Sequence, residues 1–267
     1  MKSVRSSLII GCGYLGKRLL ALCGDQNCRF TNRTESSDIN SLVLDINDES
    51  TWNNLDVLSE EKALTIYCMV PPSQIDLTLF PSFVHRISSL NTTRCILISS
   101  TVVYGNTDRV VDSDSDVEID SDRAKRQYYI EQAWLESNED AFIVQLAGLY
   151  GPDRIIGRKT IMQGDTINGD PDGWLNLIHV DDAATLVKRV GEMDDPEIIE
   201  LGCDGAPIKR KDYYSFVAET LEKPLPDFHI DDQTRGIGRR CDNKLTIERT
   251  GWQPEYRNFK EGLLKSM

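Results

Sequence analysis

The sequence predicts an α/β protein, a doubly wound parallel sheet with a small C-terminal lobe. Three observations carry that prediction. The short apolar run Leu8-Ile9-Ile10 leads into Gly11-Cys12-Gly13-Tyr14-Leu15-Gly16, a G-x-G-x-x-G loop, and Lys17–Leu22 behind it reads as a helix. Strand-like and helix-like segments then alternate through the first half of the chain, which implies crossovers and a parallel sheet with helices on both faces. The polar and turn-forming residues fall where those strands end, and a sheet of this kind binds ligands there.

In order, Cys28–Thr31 reads as the second strand and Ser41–Leu44 as the third, ending at Asp45-Ile46. Leu64–Val70 is a run of strand formers closed by Pro71-Pro72, Pro81–Leu90 has helical spacing, and Arg94–Ser99 is a buried strand. A helix over Asp122–Ser137 precedes the strand Ala141–Ala147. Farther on, Gly164–Gly173 is rich in turn formers, Asn176–Val180 leads into a helix over Asp181–Val190, and Glu197–Leu201 is a further strand. Lys211–Leu221 is helical, and Pro224-Leu225-Pro226 breaks the chain after it. This pattern divides the protein into a dinucleotide-binding domain over 1–150, to which 176–202 returns, and a substrate lobe built from 151–175 and 203–267.

Each glycine of the loop has a physical task. Gly11 allows a tight turn, Gly13 lets backbone approach a pyrophosphate, and Gly16 lets the helix pack closely on the strand. The anion would rest on unpaired N–H groups at the positive end of the helix. Tyr14 and Leu15 lie within the same loop. An acid about 20 residues farther on would hold a ribose 2′-OH, but the second strand ends in Thr31-Asn32-Arg33-Thr34. Asn32 and Arg33 replace that acid, and Arg33 suits a 2′-phosphate through a charge-assisted fork. The expected cofactor is therefore NADP, with NAD as the alternative.

Composition narrows the function classes. The chain has 267 residues, 40% of them hydrophobic and 27% charged, as in an ordinary globular protein long enough for a large core. A net charge of −13 argues against a general nucleic-acid binder. The longest apolar runs fall far short of the roughly 20 residues of a membrane span, and no secretory signal is read, so a cytoplasmic protein without membrane contact is expected. Seven scattered cysteines without C-x-x-C fit a reducing compartment and give neither a disulfide framework nor a zinc site. Cys12 lies in the glycine loop, where its side chain is expected to point away from the ligand. The segment Asp112–Asp122 carries six carboxylates at every second position. Val117 stands where a calcium loop needs glycine and Arg123 where it needs glutamate, so the segment reads as a solvated, mobile loop and no metal is expected.

Several motifs resemble the extended short-chain dehydrogenase/reductases, the NAD-dependent epimerase/dehydratase group, from one end of the chain to the other. Ser99-Ser100-Thr101-Val102-Val103-Tyr104-Gly105 is similar to the family's S-S-x-x-V-Y-G strand. Leu146–Pro152 resembles its R-x-x-x-x-Y-G-P segment, with Gln145 in place of arginine, and Asn176–Asp182 resembles its I-H-V-x-D motif. Arg240–Leu245 followed by Gly251-Trp252-Gln253-Pro254 is similar to S-N-x-x-L…G-W-x-P. The resemblance implies a Rossmann sheet, and with Val70-Pro71-Pro72 and the short length it points to an atypical, sugar-nucleotide epimerase-like subgroup. It places Asp45 and Ile46 beside the adenine, and Val70, Pro71, Ser99 and Ser100 in the cofactor site. Tyr150, Asn176, Arg240 and Asn243 become substrate candidates. A homodimer through the two helices flanking the sheet is implied by the resemblance alone.

The family's chemistry uses Y-x-x-x-K on one helix, where i, i+4 spacing puts both side chains on one face. The lysine and the cofactor ribose lower the tyrosine pKa for proton exchange. This chain has no Y-x-x-x-K. If Glu131-Gln132-Ala133-Trp134-Leu135 matches the end of the family helix, Arg123 takes the tyrosine place and Gln127 the lysine place. One turn later, Tyr128 and Gln132 do. Either way the lysine is missing, and Lys125 and Arg126 lie off the required face. Thr101 keeps a hydrogen-bonding hydroxyl. Tyr104 is a substitute proton donor or a packing residue under the nicotinamide, and Tyr128 is the candidate under the second registration. Of the three histidines, His179 reads as structural, while His85 and His229 belong to no constellation.

Two functions compete. The retained motifs favour an NADP-dependent oxidoreductase or epimerase acting on a carbonyl or sugar-nucleotide substrate, with Arg154, Arg158, Lys159, Arg239 and Arg240 available for phosphates. The missing dyad favours a non-catalytic cofactor-binding sensor or interaction module.

Overall fold

A computed structural model describes residues 6–24, 27–61, 63–230 and 236–266. Its main feature is a sheet of seven strands: β1 (Ser6–Ile10), β2 (Cys28–Asn32), β3 (Ser41–Val43), β4 (Leu64–Cys68), β5 (Thr92–Ser100), β6 (Ala141–Leu146) and β7 (Ile199–Gly202). They lie in the order β7-β6-β5-β4-β1-β2-β3, and every pair is parallel. Strand order reverses at β1, between β2 on one side and β4 on the other. The doubly wound sheet expected from the sequence is present.

Side chains alternate across the strands, as a period of two requires. Leu8 and Ile10 of β1, Leu64 and Ile66 of β4, and Cys95 and Leu97 of β5 enter one core, while Ile9, Tyr67 and Ile96 enter the other. Helices α1 (Tyr14–Cys23) and α5 (Val180–Glu192) pack together over the second of these cores. The first core is covered by α2 (Phe80–Ser88) and α3 (Asp122–Glu136), with Phe80, Phe83, Val84 and Ile87 forming the buried stripe of α2. A ten-residue 3-10 helix over Glu49–Leu58, not anticipated from the sequence, completes that layer. Asp48 caps it by accepting from Ser50 N at 3.1 Å, and Trp52, Leu55 and Leu58 are buried beneath it.

Beyond the sheet, α4 (Arg158–Gln163), α6 (Arg210–Thr220) and α8 (Phe259–Ser266) surround a third core of Ile155, Ile161, Tyr213, Val217, Phe259 and Leu263, which also takes in Tyr150 and Leu177. The rest of the C-terminal segment behaves differently from the expected lobe. Cys241, Trp252 and, from α7 (Lys244–Thr250), Ile247 pack in the sheet's own core, and Trp252 Nε1 donates to Thr185 Oγ1 at 3.0 Å. The acidic segment is also tied down. Val110–Val111 pairs with Arg240–Cys241, Asp114 forms an ion pair with Arg249 at 2.7 Å, and Asp120 accepts from Asn106. Among the described residues no helix is long and apolar enough to cross a membrane, and no group of three or more His, Cys, Asp or Glu is gathered as for a metal ion.

Four buried carboxyls give the fold a pH dependence. Burial pushes Glu131, Glu200 and Asp204 up to about 7 and Asp182 up to about 6, the last opposed by the Glu255 and Tyr256 backbone N–H groups. Each is raised above its value in the unfolded chain, so between those values the native state holds more protons and stability falls as pH rises. Urea unfolding midpoints are expected to decrease from about pH 5 to about pH 8. A midpoint that rises across this window would mean that the four carboxyls are not buried as described.

Candidate functional site

A cleft of about 1360 Å³ runs along the carboxyl ends of the strands. It is larger than the 300–1,000 Å³ or so typical of a single small-ligand pocket, so it has room for two ligands side by side. The glycine loop stands at its centre, where strand order reverses. Gly11 has φ +85°, and its amide N–H donates to Thr31 Oγ1 at 3.1 Å, which fixes the loop to the end of β2. A Cβ on Gly11 would lie 3.1 Å from Val70 N, and one on Gly16 would lie 3.0 Å from Gly11 O, so close packing requires both glycines. Gly13 is different. A Cβ there meets nothing within 4 Å, so this glycine keeps space open at the N-terminus of α1, where an anion would approach the backbone.

On one side of the loop the cleft is lined by Asn32 and Arg33 at the end of β2 and by Leu44, Asp45 and Ile46 after β3. Asn32 Nδ2 donates to Ser41 Oγ at 2.9 Å, while Arg33 is exposed at the cleft edge. Asp45 Oδ1 accepts from Asn47 N at 3.0 Å and holds that turn. On the other side lie Val70 and Pro71 after β4, then Ser99, Ser100 and Thr101 at the end of β5. Tyr14 and Leu15 line the centre, and the Tyr14 phenol donates to Pro152 O at 2.9 Å. All thirteen residues expected around a cofactor therefore face one cleft.

The catalytic and substrate candidates divide. Thr101 lines the cleft. Tyr104 does not reach it. That phenol is buried and donates to Gln145 Oε1 at 2.5 Å, and burial pushes its pKa up. Tyr128 packs against the sheet's core instead of the cleft, whereas Arg123 and Gln127, the pair of the first registration, both line it. Gln127 is only 2% exposed, and its Nε2 finds no acceptor among the described residues.

Tyr150 is buried in the third core, and Asn243 is buried with its amide donating to Cys203 O at 2.6 Å, so neither lines the cleft. Asn176 does line it, but its side chain joins two backbone groups, donating to Arg239 O at 2.9 Å and accepting from Cys241 N at 2.7 Å. Arg240 turns outward to Asp108 and the Trp174 ring, and its neighbour Arg239 lines the cleft in its place. Alternation along an extended segment sends consecutive side chains in opposite directions, and the sequence motif does not show which one points in. His179 is structural: it accepts from Asp181 N and sits between Tyr150 and Tyr256.

Charge is concentrated here. Among the described lining residues are Arg33, Arg123, Arg126, Arg154, Arg210 and Arg239, against Asp45, Asp120 and Asp122. This positive surplus lies in a protein of net charge −13 and would suit an anionic ligand. Arg239 donates to Gly105 O at 2.7 Å, and burial lowers its pKa. Sequence reasoning did not single out Arg210 and read Arg126 as lying off the required helix face, yet both line the cleft, since a lone arginine within a helix carries no local signal of where it points.

Three solved structures share this fold over nearly their full length. MoeE5 in complex with UDP-glucose and NAD superposes with a TM-score of 0.82 at 16% identity, covering 98% of this chain and 97% of that one. UDP-N-acetylglucosamine 4-epimerase from Methanobrevibacter ruminantium M1, in complex with UDP-N-acetylmuramic acid, gives 0.78 at 15% identity and covers 98% and 96%. UDP-glucuronic acid 4-epimerase from Bacillus cereus, in complex with NAD, gives 0.76 at 15% identity, again covering 98% and 96%. The fold is that of the NAD-dependent epimerases and dehydratases. No family model and no curated protein matches the chain.

The packed and the open glycine of the loop make separable predictions. Gly11→Ala combines a left-handed φ with a tight approach to Val70 and is expected to cost about 1–3 kcal/mol in urea unfolding. Gly13→Ala, with φ −85° and open space, is expected to change stability by less than about 0.5 kcal/mol. Equal losses at both positions would show that Gly13 is packed rather than open.

Proposed function

We propose that the protein is an NADP-dependent oxidoreductase or epimerase whose substrate is an anionic carbonyl compound or sugar nucleotide. The observation that carries this reading is the open position at Gly13, set at the strand-order reversal in a cleft that continues past Ser99 to Arg123, Arg154 and Arg239. A dinucleotide fits the donor set. Its pyrophosphate would lie over Gly13 and the N-terminus of α1, and its adenosine half over Asp45 and Ile46. The nicotinamide half would then face Val70, Pro71 and Ser99. Arg33 supports the 2′-phosphate form, since the tip of β2 offers a guanidinium and no carboxylate. Bound there, the dinucleotide supplies hydride exchange. The chain's own residues orient the substrate and handle its proton, and the arginines farther along the cleft would hold its anionic groups. The UDP-sugars named in the similar structures are anions of this kind and support the reading.

One observation favours a second reading. Arg123 and Gln127 line the cleft, and under the first registration they would take the places of a proton-exchanging tyrosine and lysine, which supports a sensor that binds the dinucleotide without turnover.

Titration calorimetry with NADP and NAD tests the cofactor. Gly13→Val is expected to abolish binding of both, and Arg33→Ala to weaken NADP by roughly ten- to a hundredfold while leaving NAD within about twofold. Equal weakening of both would remove the NADP assignment. Following NADPH absorbance with a panel of carbonyl compounds and UDP-sugars separates the two readings. Turnover of any member establishes the enzyme, and tight binding without turnover supports the sensor.

A further inference from the structure

Proton exchange in the cleft lacks an obvious agent. Among the described lining residues there is no lysine, histidine or glutamate. The Tyr14 phenol is committed to Pro152 O, and Tyr104 and Tyr128 lie outside. Asp45 belongs to the far side of the glycine loop, Asp120 accepts from Asn106, and Asp122 is exposed at the start of α3.

Ser99 is different. It lines the cleft at the carboxyl end of β5, and its hydroxyl donates to Glu131 Oε1 on α3. Glu131 is 2% exposed and stands one helical turn after Gln127. Gln145 on β6 donates its Nε2 to both Glu131 oxygens at 3.2 Å and accepts from the Tyr104 phenol. A buried acid is thus joined to the cleft wall by one hydroxyl, and the amide behind it steadies the carboxylate form.

We propose that Glu131 is the proton acceptor of the reaction, reached from the cleft through the Ser99 hydroxyl. This rests on the reading that the cleft holds a nicotinamide dinucleotide and a substrate bearing a hydroxyl or carbonyl. In the oxidative direction the substrate's carbinol C–H bond breaks and its hydride passes to the oxidised nicotinamide. Its O–H bond also breaks, and that proton passes to Ser99 Oγ while the Ser99 proton passes to Glu131. The products are a carbonyl, the reduced nicotinamide and a neutral Glu131 acid. In reverse, the same acid returns the proton to the new alkoxide.

The electrostatics suit the task. Burial pushes Glu131 up to about 7, opposed by the bonds from Ser99 and Gln145, so both protonation states are populated at neutral pH. The titratable group sharing the network is the Tyr104 phenol, which burial keeps protonated. No cation contributes to the shift. A glutamate with a purely structural task would also satisfy the hydrogen bonds, but it would have no reason to exchange protons with the cleft.

Calorimetry at several pH values, in buffers of different ionisation enthalpy, distinguishes the two. The positive ring of NADP⁺ beside Ser99 favours the carboxylate, so binding at pH 7 is expected to release up to about half a proton more than binding of NADPH. The 2′-phosphate titrates alike in both and cancels from the comparison. Glu131→Gln, which is close in shape, is expected to abolish the difference. Ser99→Ala removes a bond that favours the carboxylate and is expected to move the midpoint of the release to higher pH. If Glu131→Gln folds and keeps the full difference, or if Ser99→Ala leaves the midpoint unchanged, the proposal fails while the dinucleotide reading stands. If neither nucleotide binds, the dinucleotide reading itself fails.

Discussion

Strand β1 lies inside the sheet, and the chain builds outward from it first on one side and then on the other. Parallel strands require crossovers of one hand, so the change of direction leaves a crevice at the carboxyl end of β1 that no helix fills. The glycine loop begins there. Thr31 from one neighbouring strand and Val70 from the other meet Gly11, so the sheet itself sets the loop's position. Every residue that lines the cleft inherits its place from this arrangement.

A second constraint comes from polarity in the interior. The two sheet cores are apolar almost throughout, yet Ser99, Glu131, Gln145 and Tyr104 form a continuous chain of hydrogen bonds between α3 and the strands β5 and β6. Burying such groups is favourable only when each finds a partner, and here each does. The same bonds fix the rotation of α3 about its axis. That rotation presents Arg123 and Gln127 to the cleft and turns Tyr128 toward the core.

Much of the fold was legible from local patterns, because apolar runs bounded by turn formers mark buried strands whatever surrounds them. Element ends moved by one or two residues, as with β4, which stops at Cys68 rather than Val70. The Glu49–Leu58 helix escaped notice because Trp52, Leu55 and Leu58 give a short stripe amid polar residues. Side-chain direction was less legible than position. Arg239 and Arg240 are adjacent in sequence, and only the pairing of Arg240–Cys241 with Val110–Val111 decides which enters the cleft. The acidic segment looked solvated because its partner, Arg249, is 135 residues away from Asp114. Tyr150 and Asn243 sit in motifs that suggest contact with substrate, yet their polar atoms serve the packing of the C-terminal elements.

Asn176 gives the cleft a history as well as a shape. Its amide bridges the Arg239 carbonyl and the Cys241 N–H, so the segment bearing Arg239 is fastened by a residue more than sixty positions earlier. The position of Arg239 is therefore set only when residues 239–241 dock on Asn176 and Val110–Val111. The side of the cleft that bears Arg239 is thus completed from a distance, by a tail.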